Sequence, residues 1–321
     1  MKPRLAVSIG DPAGIGPEVA AAASVHPKVL RAARLVFFGD AAVVERACRV
    51  RGITPGVRSA MAELEGVTKF KNPPVRPGKR SGEAAFRYLE AAAKAVVGGD
   101  CDALVTAPLS KLWMNRAGHD YDGHTGYLSE IAGRPATMML AGRRLRVVPV
   151  TVHMPLASVA PSIKRKTVRD AVSTAAEHLS VYHGIARPRL AVAALNPHGG
   201  ESGLFGREEI RVIGPALRPL VARGIDVAGP FPADTLFAAA VAGDYDAVVC
   251  MYHDQALIPL KLVEFGRAVN VSMGLPFVRT SPDHGTAYGL AGTGKASETS
   301  MIEAVLLAAD MVRTRSGGKD S

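Results

Sequence analysis

Residues 247–250 read AVVC, and residues 251–287 continue MYHDQALIPLKLVEFGRAVNVSMGLPFVRTSPDHGTA. The first four form an apolar run of the kind that builds a strand buried on both faces of a parallel sheet. Residues just past the C-terminal end of such a strand point into the crevice where α/β proteins bind ligands, which gives His253 and Asp254 a privileged position. The stretch that follows is too polar for a core. It supplies Lys261, Arg267, Asn270, Arg279 and His284, five groups able to meet an anion or donate to oxygens, among Gly and Pro. That mixture predicts a phosphate or carboxylate site close to a metal ligand.

The same pattern recurs upstream. Leu5–Ile9, Leu35–Phe38, Ala103–Thr106 and Leu190–Leu195 are apolar runs, each ended by turn-forming or polar residues, and a further short strand is expected near Val227. Ala136–Ala141 and Leu145–Thr151 read as a β-hairpin turning at Gly142-Arg143. Helical patterns lie between these runs: an Ala-rich helix with Pro17 in its first turn, Ala41–Arg51, a helix capped by Ser81 and running to about Val97, Thr167–His183, Glu208–Arg223, a helix from Ala233, and Glu298–Arg313. Ile53–Lys79 reads as a Pro-rich loop with short strands, and Ser316–Ser321 as a disordered end. Strands alternating with helices predict an α/β fold with a mostly parallel sheet covered on both faces.

At 321 residues the chain can bury a substantial core, as one large or two modest domains. Cys48, Cys101 and Cys250 are odd in number and far apart, so they read as reduced thiols of a cytoplasmic protein and not as a disulfide frame. No segment reaches the roughly 18 continuous apolar residues of a membrane span, and the N-terminus lacks a signal-peptide pattern. The 39 Lys and Arg exceed the 29 Asp and Glu, giving +10. The basic residues are scattered apart from Arg143-Arg144-Arg146 and Lys164-Arg165-Lys166, and no aromatic stacking motif accompanies them, so the charge argues for attraction of small anions over a nucleic-acid surface.

His153, His198 and His253 each follow an apolar strand, in the contexts VTVHMP, LNPHGG and MYHDQ. If the three strands are parallel neighbours, their ends lie within about 5 to 10 Å of one another, given a strand spacing of about 4.8 Å. Three imidazoles that converge with coordination positions left open would make a catalytic divalent-metal site; taken singly, each histidine is as readily a structural hydrogen-bonding residue. His26, His178 and His183 lie on or beside helices and are expected at the surface. The Gly-rich turn Ala13-Gly14-Ile15-Gly16-Pro17-Glu18 can hold an anion at a helix N-terminus, but the GxGxxG dinucleotide fingerprint is absent from the chain.

The stretches 10–18 (GDPAGIGPE), 106–111 (TAPLSK), 123–125 (GHT), 196–198 (NPH), 232–237 (PADTLF), 251–255 (MYHDQ) and 279–286 (RTSPDHGT) resemble, in order along nearly the whole chain, the 4-hydroxythreonine-4-phosphate dehydrogenase family of pyridoxal phosphate biosynthesis. The resemblance implies an isocitrate/isopropylmalate-dehydrogenase-like fold of two α/β/α lobes with a cleft between them. Residues 1–125 plus 280–321 are expected on the cofactor side, and 126–279 as a central lobe with metal, substrate and dimer contacts. It further implies a homodimer with the active site at the subunit interface, and oxidation of 4-phosphohydroxy-L-threonine at C3 with NAD or NADP, followed by decarboxylation to 3-amino-2-oxopropyl phosphate. By motif, His153, His198 and His253 hold a divalent ion (zinc, magnesium or cobalt), and His124, Thr125, Lys261, Asn270 and Arg279 contact substrate. Asp234 and Lys111 surround the reacting centre, and His284, Gly285, Thr286 and Ala287 hold the adenosine half of the cofactor.

Gly126, Pro282 and Tyr288 depart from the family pattern, so the scaffold's other substrates stay in play, among them threonate or erythronate 4-phosphate and a dihydrodiol dicarboxylate. The rival classes are a non-oxidative phosphate acyltransferase on a related scaffold, which needs no three-histidine metal site, and a basic nucleic-acid-binding module, whose affinity would fall steeply with salt.

Overall fold

The computed structural model describes residues 1–53, 63–68, 70 and 72–317. They form two compact units, one of Met1–Ala136 with Leu275–Gly317 and one of Thr137–Gly274. Residues 126–136 and 275–279 therefore fall in the first unit, outside the bounds expected for the central lobe. The reason is packing: Tyr127, Leu128, Leu275 and Phe277 are buried in the same core as Leu89 and Leu104.

In the first unit the strands, numbered along the chain, are β1 (Arg4–Ser8), β2 (Arg34–Gly39), β3 (Glu63–Gly66), β4 (Ala103–Thr106) and β11 (Val278–Pro282). Their order is β3-β2-β1-β4-β11, and every pairing among them is parallel. Alternation along the strands sorts the side chains. Ala6, Val36 and Leu104 face the helix Lys79–Val97 through Leu89, Ala92 and Val96. Thr280 turns the other way and donates to the Ala304 carbonyl of the helix Thr299–Gly317, 2.8 Å away. Each fully buried Leu or Val contributes about 1.5–3 kcal/mol relative to exposure, so the covered strands anchor whatever stands at their ends.

Three local expectations shift. The helix expected to be capped by Ser81 begins at Lys79, so Ser81 is its third residue, and its hydroxyl reaches back to accept from Gly78 N at 3.1 Å. The expected loop 53–79 contains β3, while residues 54–62, 69 and 71 lie outside the described ones. Of the tail expected to be disordered, Ser316 and Gly317 continue the last helix, and residues 318–321 lie outside the described ones.

The second unit has β5 (Thr137–Ala141), β6 (Arg146–Pro149), β7 (Leu190–Ala193), β8 (Val227–Phe231), β9 (Ala247–Cys250) and β10 (Val269–Met273), in the order β10-β5-β6-β9-β7-β8. The hairpin forms as expected, with β5 antiparallel to both β6 and β10, whereas β6-β9-β7-β8 are parallel.

The stretch after β9 is not uniformly polar filler. Residues His253–Glu264 form a helix, and Ala256, Leu257 and Leu260 join a core with Leu140, Val147 and Val248. Buried Glu264 accepts from Arg144 N at 2.7 Å and so ties the helix end to the hairpin turn. His178, expected at the surface, is 4 % exposed: it lies on the inner face of the helix Arg165–His183, where the neighbouring ring of His183 is 5.5 Å away. All three cysteines are free and buried.

Candidate active site

In the second unit the strand ends decide the geometry. Pro149 on β6 pairs with Cys250 on β9, and Val192 on β7 pairs with Val249 on β9, so the three strands leave the sheet side by side at one edge. His153, His198 and His253 follow within a few residues of those pairs. The rings of His153 and His253 are 5.5 Å apart at 45°. Imidazoles sharing a tetrahedral ion at an N–metal distance of about 2.0–2.1 Å have their centres roughly 5 Å apart, so this pair fits joint ligation of one divalent cation. His253 Nδ1 lies 2.7 Å from Asp254 Oδ1, an arrangement that fixes the ring and leaves Nε2 for a ligand.

His198 follows the end of β7. It sits in a turn where His198, Glu201 and Ser202 have φ of 51°, 42° and 56°, and its ring is 6.5 Å from Phe205. Left-handed backbone at non-glycine residues costs on the order of 1–3 kcal/mol each and persists only where the surroundings over-determine it. Buried Glu209 ties down the strand exit that leads into this turn. Its Oε1 accepts from Leu195 N at 2.9 Å and Asn196 N at 2.8 Å, and its Oε2 accepts from Asn196 Nδ2 at 3.0 Å. Among the described residues, no group of three or more His, Cys, Asp or Glu is gathered as a metal cage within this chain.

In the first unit a cationic cluster stands at the ends of β4 and β11. Arg279 is 2 % exposed, and its Nη2 donates to Thr106 Oγ1 at 2.7 Å. Burial pulls its pKa down to about 10, which leaves the guanidinium charged at neutral pH. His124, second residue of the helix Gly123–Ala132, keeps some exposed surface, but its Nε2 is sealed from solvent and has no hydrogen-bond partner. Burial first, then the Arg279 charge, holds its pKa well below the ordinary histidine value, against the pull of a hydrogen bond to the Ala107 backbone. A neutral imidazole beside a buried cation has one lone pair to offer and one positive neighbour to share. Lys111 Nζ lies 2.5 Å from Asp122 Oδ1, and its charge also bears on His124. Thr125 adjoins His124 on the same helix.

The segment carrying His284, Gly285, Thr286 and Ala287 follows β11 and is tied to the turn after β1. Ile15 N donates to the Thr286 carbonyl at 3.0 Å, and a Cβ on Gly14 would stand 2.9 Å from that oxygen. Gly14 is thus required for close approach of two backbones. Tyr288 Oη donates to Asp11 Oδ2 at 2.7 Å, while Asp11 Oδ1 accepts from Ala13 N at 2.9 Å. Burial, the largest influence, raises the Asp11 carboxyl above its usual range. Glu18 takes Gly292 N at 2.5 Å, and Arg51 donates to the carbonyls of Gly294 and Ala296. His284 Nδ1 lies 3.1 Å from its neighbour's carbonyl, and its Nε2 is buried without a hydrogen-bond partner.

The remaining expected residues are dispersed through the second unit. Asp234 is exposed in the first turn of the helix Ala233–Ala242, Lys261 is exposed on the helix His253–Glu264, and Asn270 lies half-buried on β10. Asp11 and Thr106 lie in quoted motifs and Tyr288 departs from the family pattern, but the bonds that join them to partners far along the chain carry no local signal. Gly126 has room: a Cβ there would make ordinary contact with Tyr121 at 3.6 Å.

The profile of the pyridoxal phosphate biosynthetic protein PdxA family matches residues 31–308. A 4-hydroxythreonine-4-phosphate dehydrogenase of Geobacter metallireducens is 46 % identical over 332 residues, covering 99 % of this chain and 98 % of its own. This chain belongs to that family. Membership makes it an oxidoreductase of pyridoxal phosphate biosynthesis. Among solved structures, the family's member from Klebsiella pneumoniae is 36 % identical with a TM-score of 0.85, covering 97 % of this chain and 98 % of that one. A terephthalate 1,2-cis-dihydrodiol dehydrogenase from Burkholderia xenovorans is 31 % identical with a TM-score of 0.68, covering 96 % and 98 %. Isocitrate dehydrogenase from Methylococcus capsulatus, at 14 % identity and a TM-score of 0.52 over 98 % of this chain and 88 % of its own, shares the fold alone. The architecture is the isocitrate-dehydrogenase-like α/β fold. No helix among the described residues is long and apolar enough to cross a membrane.

Proposed function

We propose that this family member oxidises 4-phosphohydroxy-L-threonine at C3 with NAD or NADP and decarboxylates the product to 3-amino-2-oxopropyl phosphate, assisted by one divalent ion. The observation that carries the reading is the trio of histidines leaving three adjacent parallel strands, two of them already at a spacing that suits one cation. His153 and His253 would hold the ion, with His198 as the third ligand; bound there it would supply Lewis acidity to the substrate's oxygen, and the nicotinamide would supply the hydride acceptor.

The chain's own groups do the rest. Arg279, held by Thr106, carries a buried positive charge suited to a phosphate, and Lys111 adds a second cation. His124 and Thr125, together with Lys261 and Asn270, complete the substrate contacts. Burial and the Arg279 charge keep the His124 imidazole neutral beside the proposed phosphate contacts, with a hydrogen bond to the Ala107 backbone. Asp234 and Lys111 belong to the polar surround of the reacting centre. His284, Gly285, Thr286 and Ala287 receive the adenosine half of the cofactor on a segment fixed by Ile15, Asp11 and Glu18.

A homodimer completes the reading. Ile258, Leu262 and Phe265 are 67 %, 86 % and 83 % exposed and recur at helical spacing on and just past the helix that His253 begins, a face suited to a second copy of this chain. A panel of phosphorylated hydroxy acids, assayed for NADH and NADPH formation with and without chelator, tests the proposal. Chelator-sensitive turnover of 4-phosphohydroxy-L-threonine is expected. Preference for threonate or erythronate 4-phosphate, or for an unphosphorylated dihydrodiol dicarboxylate, would replace the substrate, and turnover indifferent to chelator would reject the metal.

A further inference from the structure

The parallel ladders end before the histidines begin. The last pairs are Pro149 with Cys250 and Val192 with Val249; beyond them Val150 N still donates to the Cys250 carbonyl at 2.8 Å and joins the β6 and β9 exits through the backbone. What continues the lacing is a set of bonds centred on the Met251 peptide. Its N–H donates to Gln255 Oε1 at 2.6 Å, and its carbonyl accepts from Thr151 Oγ1 at 2.7 Å and from Thr151 N at 3.3 Å. Gln255 then donates through Nε2 to the Ala194 carbonyl at 2.7 Å.

One amide side chain thus bridges the β9 exit to the β7 exit, and one hydroxyl bridges the β6 exit to the β9 exit. Gln255 and Thr151 are 8 % and 5 % exposed, and Met251 and Ala194 are 0 % and 1 % exposed, so water cannot substitute for these bonds. Thr151 precedes His153 by two residues and Met251 precedes His253 by two, while the segment from Ala194 to His198 is pinned by Glu209. Each histidine is therefore held by a bond made only a short lever away.

We propose that Gln255 and Thr151 are positioning residues that lock the three strand exits into one rigid edge and so preorganise His153, His198 and His253. The inference rests on the metal reading given under Proposed function. Groups that orient ligands from behind typically change metal affinity by about 10–100-fold when removed. Both side chains fit this role because each bridges two different exits, whereas a group that merely satisfied its own backbone would bridge none.

The test uses the full chain with Gln255→Met and Thr151→Val, near-isosteric changes that delete the side-chain bonds and leave the backbone bond from Thr151 N to the Met251 carbonyl in place. Thr280→Val is the control, because it loses an equally buried hydroxyl-to-carbonyl bond in the other unit. Co(II) alone, read by its visible spectrum, and Zn(II) in competition with a chromophoric chelator give the affinity. Each of the two variants is expected to bind about 10–100-fold more weakly, with an altered Co(II) spectrum, and the control to match wild type. Affinity within twofold of wild type in folded Thr151→Val overturns the proposal even if Gln255→Met fails to fold. Should wild type itself take up no ion, the metal reading falls, and the metal-free protein still decides this one. The imidazole 1H–15N signals of His153 and His253 should move in the variants, and unmoved signals would overturn it.

Discussion

A guanidinium that is 2 % exposed is costly to bury and is retained where its charge is used. Arg279 keeps that charge at neutral pH even though burial lowers its pKa to about 10, and Thr106 fixes the direction of its Nη2. Hydrogen bonds to charged groups contribute about 1.5–3 kcal/mol, so Arg279→Ala should raise KM for the phosphorylated substrate by roughly 10–100-fold and far less for its unphosphorylated analogue. Steady-state kinetics on the pair decides this; an equal rise for both would mean that Arg279 does not touch phosphate. Arg279 and His124 were legible in the sequence because they sit in motifs. Thr106 opens a motif as well, but its bond to Arg279 was not legible, since the two lie 173 residues apart and only the parallel pairing of β4 with β11 brings them together. Gly14 was legible as a special position, but the close approach of the Thr286 carbonyl that its lack of a Cβ admits was not. Gly14→Ala should therefore displace the 284–287 segment and raise KM for the nicotinamide cofactor about tenfold, the cost of overpacking being on the order of 1–3 kcal/mol. An unchanged cofactor KM would separate that segment from cofactor binding.

Among the elements, the helix His253–Glu264 was the hardest to see. Pro259 lies inside it, and its apolar residues divide between two faces, Ala256, Leu257 and Leu260 inward and Ile258 and Leu262 outward, which blurs a single amphipathic stripe. The outward face carries the expectation for assembly. Leu262→Glu should leave the inner face packed and convert a dimer into monomers by light scattering, with loss of turnover; a variant that stays dimeric would place the interface elsewhere. The helix Arg165–His183 yields a pH prediction. Burial lowers His178 to about 3, with His183 adding to the shift; burial lowers His183 to about 4, with the Arg146 cation adding to it. Arg146 in turn faces Asp246. Both folded values lie below the unfolded value of about 6.5. The unfolded chain therefore binds more protons between pH 6.5 and 4, and stability that is complete above pH 6.5 falls by up to about 1.4 kcal/mol per pH unit for each group as the solution is acidified. His178→Leu should flatten the fall in melting temperature between pH 6.5 and 5; an unaltered slope would assign the acid sensitivity to other groups.

At the level of the whole molecule, alternating strands and helices were enough to place three histidines at the ends of parallel strands, and the order β6-β9-β7 makes those strands neighbours. Sequence pattern could not say how far the rings converge, because that depends on bonds made beyond the ladder by Gln255, Thr151 and Glu209 and on the left-handed turn at His198. Buried Arg279 lies in one unit and the three histidines in the other, and on the proposed reading that division gives a global test. An ion that binds only the native second unit stabilises it by RT ln(1 + [L]/Kd), about 2.7 kcal/mol at a hundredfold excess over Kd. For a unit of this size that corresponds to a melting shift of about 9 °C. Zn(II) or Co(II) should produce such a shift in wild type, chelator should reverse it, and hydrogen exchange should localise the added protection to residues 137–274. His153→Ala and His253→Ala should each abolish the shift, because either change leaves the remaining ring without the neighbour whose spacing suits a shared ion. A shift that survives in both variants would place the ion outside this pair, and with it the catalytic centre.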